Sequence, residues 1–186
     1  MSRWAVIQQV TLNNGVDFIE HLILHFGAVD YDATIWVNGQ LVATRQGGST
    51  PFECDISTAV STEKFQTIVV RAEDDPHDLA KPRGKQDWQL QPHSIWYPRT
   101  SGIWQTVWLE KVPGTSIAQL RWTPSLERWE IGIDVRLRGR RRDDVRLAVR
   151  LVEGDTVLAD DVYSVVSGEN PSPHFPFGSW NRRLSK

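Results

Sequence analysis

Alternation of apolar and polar residues with a period of two dominates the chain and predicts strands. Residues 33–37 and 40–44 alternate in this way on either side of Asn38-Gly39, a dipeptide typical of a two-residue type I′ hairpin turn. Residues 103–110 predict one further strand, in which Ile103, Gln105, Val107 and Leu109 share a face. No apolar period typical of a helix persists over three turns. Further strands are predicted over 21–26 and over 65–72, where apolar residues on both faces indicate a central position.

A second group of alternating strands follows Pro113-Gly114, which we take as a domain boundary. The predicted strands span 116–122, 128–138, 144–152 and 156–166, with an Arg-rich turn over 138–144 and a hairpin turn at Gly154-Asp155. Four strands are fewer than the roughly seven of a complete immunoglobulin-like sandwich. We therefore expect an all-β protein whose second domain is partial.

Residues 73–102 break this alternation, because they are rich in Pro, Gly and charged residues. A loop of this length without regular structure of its own is usually functional. The tail from 168 to 186 has no periodicity, and we expect it to be irregular.

Composition narrows the classes of function. The 186 residues are 40% hydrophobic with a formal net charge of −2, which argues against nucleic acid as a partner, and no apolar run reaches the roughly 18 residues of a membrane span. The single cysteine, Cys54, excludes an internal disulfide or a zinc site built on several cysteines, and we expect it to be buried. No signal peptide is recognisable at the N-terminus, so the expected location is the cytoplasm. Nine tryptophans indicate a large apolar core, with flat stacking surfaces for a ring-shaped ligand as a second use.

Four blocks in order resemble the N-terminal part of family 2 glycoside hydrolases, the group of β-galactosidases, β-glucuronidases and β-mannosidases. The first reads HFGAVDYDATIWVNG (25–39) and the last PRTSGIWQTVWLE (98–110), with 71–76 and 82–86 between them. The resemblance covers about 21–112 well and 113–166 more loosely. It implies a jelly-roll domain of the sugar-binding (galactose-binding-like) type over 1–112, a partial immunoglobulin-like β-sandwich over 113–167 and an irregular tail over 168–186.

In this family a (β/α)8 barrel follows and carries both catalytic carboxylates. Such a barrel takes about 250 residues, whereas 74 residues lie between Val112 and the end of this sequence. The Asn-Glu pair of the family's acid/base motif occurs only in reverse, as Glu169-Asn170. We therefore expect no catalytic residue, metal ligand or cofactor site here, and no glycoside hydrolysis by this chain alone.

The resemblance implies that the chain shapes one wall of an active site for carbohydrate and packs against a catalytic barrel as its partner. A free-standing carbohydrate-binding module is the first alternative, and it predicts that Trp88 or Trp96 is exposed. The second alternative is an inactive truncated gene product, which predicts exposed apolar patches.

The candidate substrate-binding residues all lie between 73 and 102. The first group, within 83–88, combines polar side chains that can bind sugar hydroxyls with the aromatic face of Trp88. The alternative is that its two basic residues, Arg83 and Lys85, pair with the acids of 73–78. The second group precedes Ser101-Gly102, where some relatives carry an acidic residue that contacts substrate and this chain has a tryptophan; stacking on a sugar or packing on the barrel remain open. The groups are Arg83, Lys85, Gln86 and Trp88, and Trp96, Tyr97 and Arg99.

Acidic residues form two further sets. Glycoside hydrolysis needs two carboxylates about 5 to 9.5 Å apart, and Asp30 with Asp32 are a candidate pair, although short acidic side chains also organise turns. For the acids of 73–78 the alternatives are loop structure, contact with the rim of a sugar, and a metal ion.

Overall fold

The computed structural model describes residues 2–11, 20–89, 91–128, 130–139, 145–165 and 174–176. These residues form strands and turns without a helix, which confirms the all-β prediction. Within them there is accordingly no helix long and apolar enough to cross a membrane. The chain divides into two compact units, Met1–Val112 and Pro113–Lys186.

The first unit contains nine strands within the described residues. The long segment between β7 and β8 corresponds to the predicted loop. The strands are β1 (Ser2–Thr11), β2 (Glu20–Phe26), β3 (Val29–Asp30), β4 (Asp32–Val37), β5 (Gln40–Gln46), β6 (Phe52–Asp55), β7 (Phe65–Asp74), β8 (Gly102–Ile103) and β9 (Val107–Pro113).

Two sheets with strand orders β1-β7-β4-β5 and β6-β2-β9 form the layers of a sandwich, and β3 pairs with β8. Alternate residues of β4 and β7 point between the layers, as the burial of Ala33, Ile35 and Val37 on β4 shows. β7 lies between β1 and β4, as its two apolar faces predicted. The core combines residues of both layers: Leu22, Leu24, Phe26, Val29, Ala33, Ile35, Val37, Cys54, Ile56, Ala59, Ile68, Val70 and Ala72.

The Asn38-Gly39 hairpin is confirmed. Both residues have positive φ, 49° and 83°, as a type I′ turn requires. The Asn38 side chain also closes the turn onto the neighbouring β7, since its Oδ1 accepts a hydrogen bond from the Thr67 N–H at 2.9 Å.

The prediction of one continuous strand over 103–110 is wrong. β8 pairs with β3, whereas β9 belongs to the sheet of β2, so the chain changes partners between them. At this change the Gly27 N–H donates to the Thr106 carbonyl at 2.8 Å and the Trp104 N–H to the Ala28 carbonyl at 3.4 Å. Gly27 and Ala28, which make these hydrogen bonds, themselves lie in the connection between β2 and β3. Both segments therefore leave their strands at the place where they meet.

The described part of the second unit contains two small sheets, ordered β10-β11-β14 and β12-β13. Its described core consists of Ile133, Val135, Leu147 and Val165. The tail is not wholly irregular, because His174–Pro176 pairs with Glu130–Gly132; its remaining residues and most of the Arg-rich turn lie outside the described residues. The strands are β10 (Thr115–Ser125), β11 (Glu130–Gly139), β12 (Arg146–Glu153), β13 (Thr156–Ser164) and β14 (His174–Pro176).

Candidate functional site

Two side-chain contacts anchor the loop between β7 and β8 to the start of the hairpin. Lys81 Nζ lies 2.5 Å from Asp32 Oδ2. Gln86 Nε2 donates to Asp30 Oδ2 at 3.4 Å, and Gln86 Oε1 accepts from the Thr100 N–H at 2.7 Å. We call the described residues 75–89 and 91–101 the two arms of this loop. Gln86 therefore connects the two arms with each other and with β3.

The backbone of the two arms is also paired. The Tyr97 N–H donates to the Lys85 carbonyl at 2.9 Å and the Asp87 N–H to the Tyr97 carbonyl at 2.8 Å. This bridge and the Gln86 contacts give the loop a defined shape without regular secondary structure.

Asp87 is the buried acid of the loop, with only 1% of the residue exposed. Its Oδ1 accepts from the Gln89 N–H at 3.0 Å, and its Oδ2 accepts from the His93 N–H and from His93 Nδ1, both at 2.7 Å. Burial alone would raise the pKa of Asp87, but the hydrogen bonds from Gln89 and His93 outweigh it and lower the pKa. The carboxylate is thus an ionised group that binds Gln89 and His93.

Trp88 is the centre of a polar and aromatic cluster. The Arg83 guanidinium lies 5.0 Å from the centroid of its ring, and Arg83 Nη1 also donates to the Pro76 carbonyl at 3.2 Å. The rings of His93 and Trp96 meet Trp88 edge-on, with centroids 5.2 Å and 5.9 Å away. Four side chains from both arms therefore meet at one place.

The structure brings some of the predicted site residues together and separates others. Arg83, Trp88 and Trp96 belong to the cluster, and Gln86 is an internal connector. Lys85 and Tyr97 are exposed, and Arg99 is half-buried at the second arm. Trp88 and Trp96 are half-buried too, so neither offers a fully open stacking face.

The acidic residues organise the loop. Asp75 Oδ1 accepts from the His77 N–H and Asp78 Oδ1 from the Ala80 N–H, both at 3.0 Å, which favours the structural interpretation of 73–78. Asp30 and Asp32 bind the side chains of Gln86 and Lys81, so they hold the loop as well as begin the hairpin. Among the described residues no group of three or more His, Cys, Asp or Glu side chains is placed to hold a metal ion.

The ionisable groups where the loop meets the strands, Asp30, Asp74 and Lys81, affect one another's pKa. Burial raises the pKa of Asp30, and the negative charge of Asp74 adds to the effect. Burial also raises the pKa of Asp74, against the opposing charge of Lys81. Burial opposes the charge of Lys81, but its hydrogen bond to Asp32 and the nearby acids raise its pKa. The positive charge of Lys81 therefore offsets part of the repulsion among Asp30, Asp32 and Asp74.

Sequence reasoning missed Lys81 and His93. Their signals were weak, because each depends on a partner that only the folded loop brings close, Asp32 for Lys81 and Asp87 for His93.

Comparison with known proteins agrees with this sandwich. A family model described as "Glycosyl hydrolases family 2, sugar binding domain" matches residues 5–113. The chain belongs to glycosyl hydrolase family 2. The match covers the first unit except its first four residues, and it includes the whole loop with the Trp88 cluster.

Curated glycosidases are similar in sequence to part of this chain. The chain is 32% identical over 95 residues to a β-galactosidase of Thermoanaerobacter pseudethanolicus, a match covering 50% of this chain and 12% of the relative. It is 30% identical over 127 residues to the β-glucuronidase of Mus musculus, covering 60% and 19%. The matches thus span only about a tenth to a fifth of the length of these relatives.

Solved family 2 structures share the fold. The β-glucuronidase of Bifidobacterium dentium, determined with coumarin-3-O-glucuronide, superposes with a TM-score of 0.65 at 20% identity, covering 92% of this chain and 33% of that one. A β-glucuronidase of Bacteroides uniformis gives a TM-score of 0.63 at 21% identity, covering 90% and 20%.

Proposed function

We propose that this chain is the non-catalytic, carbohydrate-contacting part of a family 2 glycosidase, and that its loop shapes one wall of the active site. The named activities of its relatives indicate a β-galactoside or a β-glucuronide as substrate class. The catalytic carboxylates would come from a barrel on which this part packs.

The observation that carries the proposal is a loop of fixed shape with an uncovered apolar surface. Side-chain and backbone contacts hold both arms, yet Leu79, Ile95 and Tyr97 are 85%, 79% and 62% exposed. Exposed large apolar side chains on a loop that is held in shape support a surface that another protein surface covers. The half-buried Trp88 and Trp96 do not favour a free-standing module that stacks sugars on an open aromatic face.

The test is a titration of the purified chain with methyl β-D-galactoside and methyl β-D-glucuronide, monitored by tryptophan fluorescence. The same sample is assayed with the 4-nitrophenyl glycosides of both sugars. We expect a weak, saturable fluorescence change and no turnover.

Matched variants assign the fluorescence signal. Trp88→Phe should reduce the change, whereas Trp108→Phe, on β9 outside the loop, should leave it intact. Turnover that copurifies with the chain would overturn the non-catalytic assignment, and no response from a folded sample would overturn carbohydrate contact by the chain.

A further inference from the structure

In the Asp87–His93 pair, Asp87 engages one nitrogen of the imidazole, Nδ1, and leaves the second, Nε2, for other contacts. A carboxylate oxygen can only accept a hydrogen bond, so Nδ1, at 2.7 Å from Asp87 Oδ2, is the donating nitrogen. Trp88 packs edge-on against the same ring. The orientation of the ring is therefore set by a hydrogen bond to a buried carboxylate and by an edge-on contact with an indole.

The two side chains of this pair differ greatly in exposure. The Asp87 side chain is fully buried, whereas 41% of the His93 side chain is exposed. With Nδ1 engaged, Nε2 is the ring nitrogen that can meet a molecule outside the loop, and no described residue hydrogen-bonds to it.

We infer that His93 is a ligand-contacting residue whose Nε2 hydrogen-bonds a hydroxyl group of a pyranoside at the Trp88 cluster, with Asp87 as its positioning residue. This inference rests on the proposed function, because it names the contact that the loop makes with carbohydrate. A hydroxyl group suits this nitrogen in either state, since it donates to a neutral imidazole and accepts from an imidazolium.

The surroundings of His93 fit the same class of ligand. The half-buried Trp88 ring packs edge-on against the His93 ring, with centroids 5.2 Å apart, and the Arg83 guanidinium carbon lies 5.0 Å from the Trp88 centroid. Apolar surface combined with a few oriented polar groups is the usual composition of a sugar-binding site.

A purely structural role for the ring makes a different prediction. The backbone N–H groups of Gln89 and His93 already hold both oxygens of Asp87, so the turn is closed without the imidazole. Asparagine at position 93 can replace Nδ1 as a donor to Asp87 but has no atom at the place of Nε2. A structural role would therefore survive His93→Asn, whereas a ligand contact would not.

The experiment compares His93→Asn with His21→Asn in the intact chain. His21 is the matched control, because its Nδ1 also contacts an aspartate, Asp55 Oδ2 at 2.6 Å, but on β2 away from the loop. Each protein is titrated with methyl β-D-galactoside and methyl β-D-glucuronide, and histidine ring nitrogens are followed by NMR.

We expect the Nε2 resonance of His93 to shift with saturation and that of His21 to stay constant. His93→Asn should keep the melting temperature and weaken affinity roughly three- to tenfold, as expected for loss of one neutral hydrogen bond. Binding that leaves the His93 ring resonances and the affinity of His93→Asn unchanged would overturn this inference alone. Absence of any binding would overturn it together with carbohydrate contact by the chain.

Discussion

At the scale of single residues, Asp87 makes stability depend on pH. Burial opposes its ionisation, but the hydrogen bonds from Gln89 and His93 lower its pKa. Such a carboxyl group stabilises the folded state above the unfolded pKa of about 3.9, and this contribution is lost as the pH falls through the lower folded pKa. We expect Asp87→Asn to reduce the free energy of unfolding at pH 7 and the difference to shrink below about pH 4. Urea unfolding at pH 7 and pH 3 measures it, and an equal loss at both pH values would contradict the ionic explanation.

Asp30 provides the opposite case. Burial and the charge of Asp74 raise its pKa, so its protonated form fits the folded state better. The stability linked to Asp30 is therefore present below the unfolded pKa and lost as the pH rises through the folded pKa. Asp30→Asn keeps an acceptor for Gln86 without the charge, so it should stabilise the protein at pH 7 and have little effect near pH 3. A lower unfolding free energy of this variant at pH 7 would contradict the prediction.

The site itself was only partly predictable. The mixture of Arg83, Gln86 and Trp88 pointed to this loop from residue types alone, and its contact with carbohydrate stays a prediction. The partnership of Asp87 and His93 was not predictable, since the two residues lie six positions apart and only the folded loop brings the buried carboxylate to the ring. The same applies to Lys81, which meets Asp32 across 49 positions.

At the scale of elements, the sequence predicted local pairings better than changes of sheet. Asn38-Gly39 defines its hairpin because the required positive φ values belong to those two residues. The alternation in 103–110 continues through a place where the chain changes partners, and alternation reports only which face is apolar. The change coincides with a backbone hydrogen bond from Gly27, which is distant in sequence and therefore invisible to the alternation.

Gly27 tests this explanation of the interrupted strand. A Cβ atom at position 27 would lie 2.6 Å from Gln105 Cβ and 3.3 Å from the Thr106 carbonyl oxygen. We expect Gly27→Ala to reduce the free energy of unfolding by about 1–3 kcal/mol through overpacking. Denaturant unfolding measures it, and a wild-type value would show that the two chain segments separate without cost.

A double-mutant cycle locates the strain. Gln105→Gly removes the nearest atom, so Gly27→Ala should cost less in that background, with a coupling of roughly 1 kcal/mol. Additive effects would mean that the strain lies elsewhere.

At the scale of the whole molecule, the described residues of the two units differ in how many apolar side chains they bury. Thirteen buried residues form the described core of the first unit, against four in the second. On β10, Leu120 and Trp122 register with the buried Val135 and Ile133 yet remain 44% and 49% exposed. Stability follows buried apolar surface, so the second unit should open at lower free energy.

Hydrogen exchange of the intact chain measures this difference strand by strand. We expect the amides of β4 and β7, whose alternate residues enter the larger core, to exchange more slowly than those of β11 and β12. Trp122→Lys is a control variant in the second unit. The Trp122 indole is half-exposed and contributes little to the core of that unit, so the substitution should raise solubility and leave hydrogen exchange in β4 and β7 unchanged. The contrary outcome is equal protection of the β4 and β11 amides, with both decreasing together as denaturant increases. It would mean that the two units unfold cooperatively and that contacts outside the two described cores stabilise the second unit.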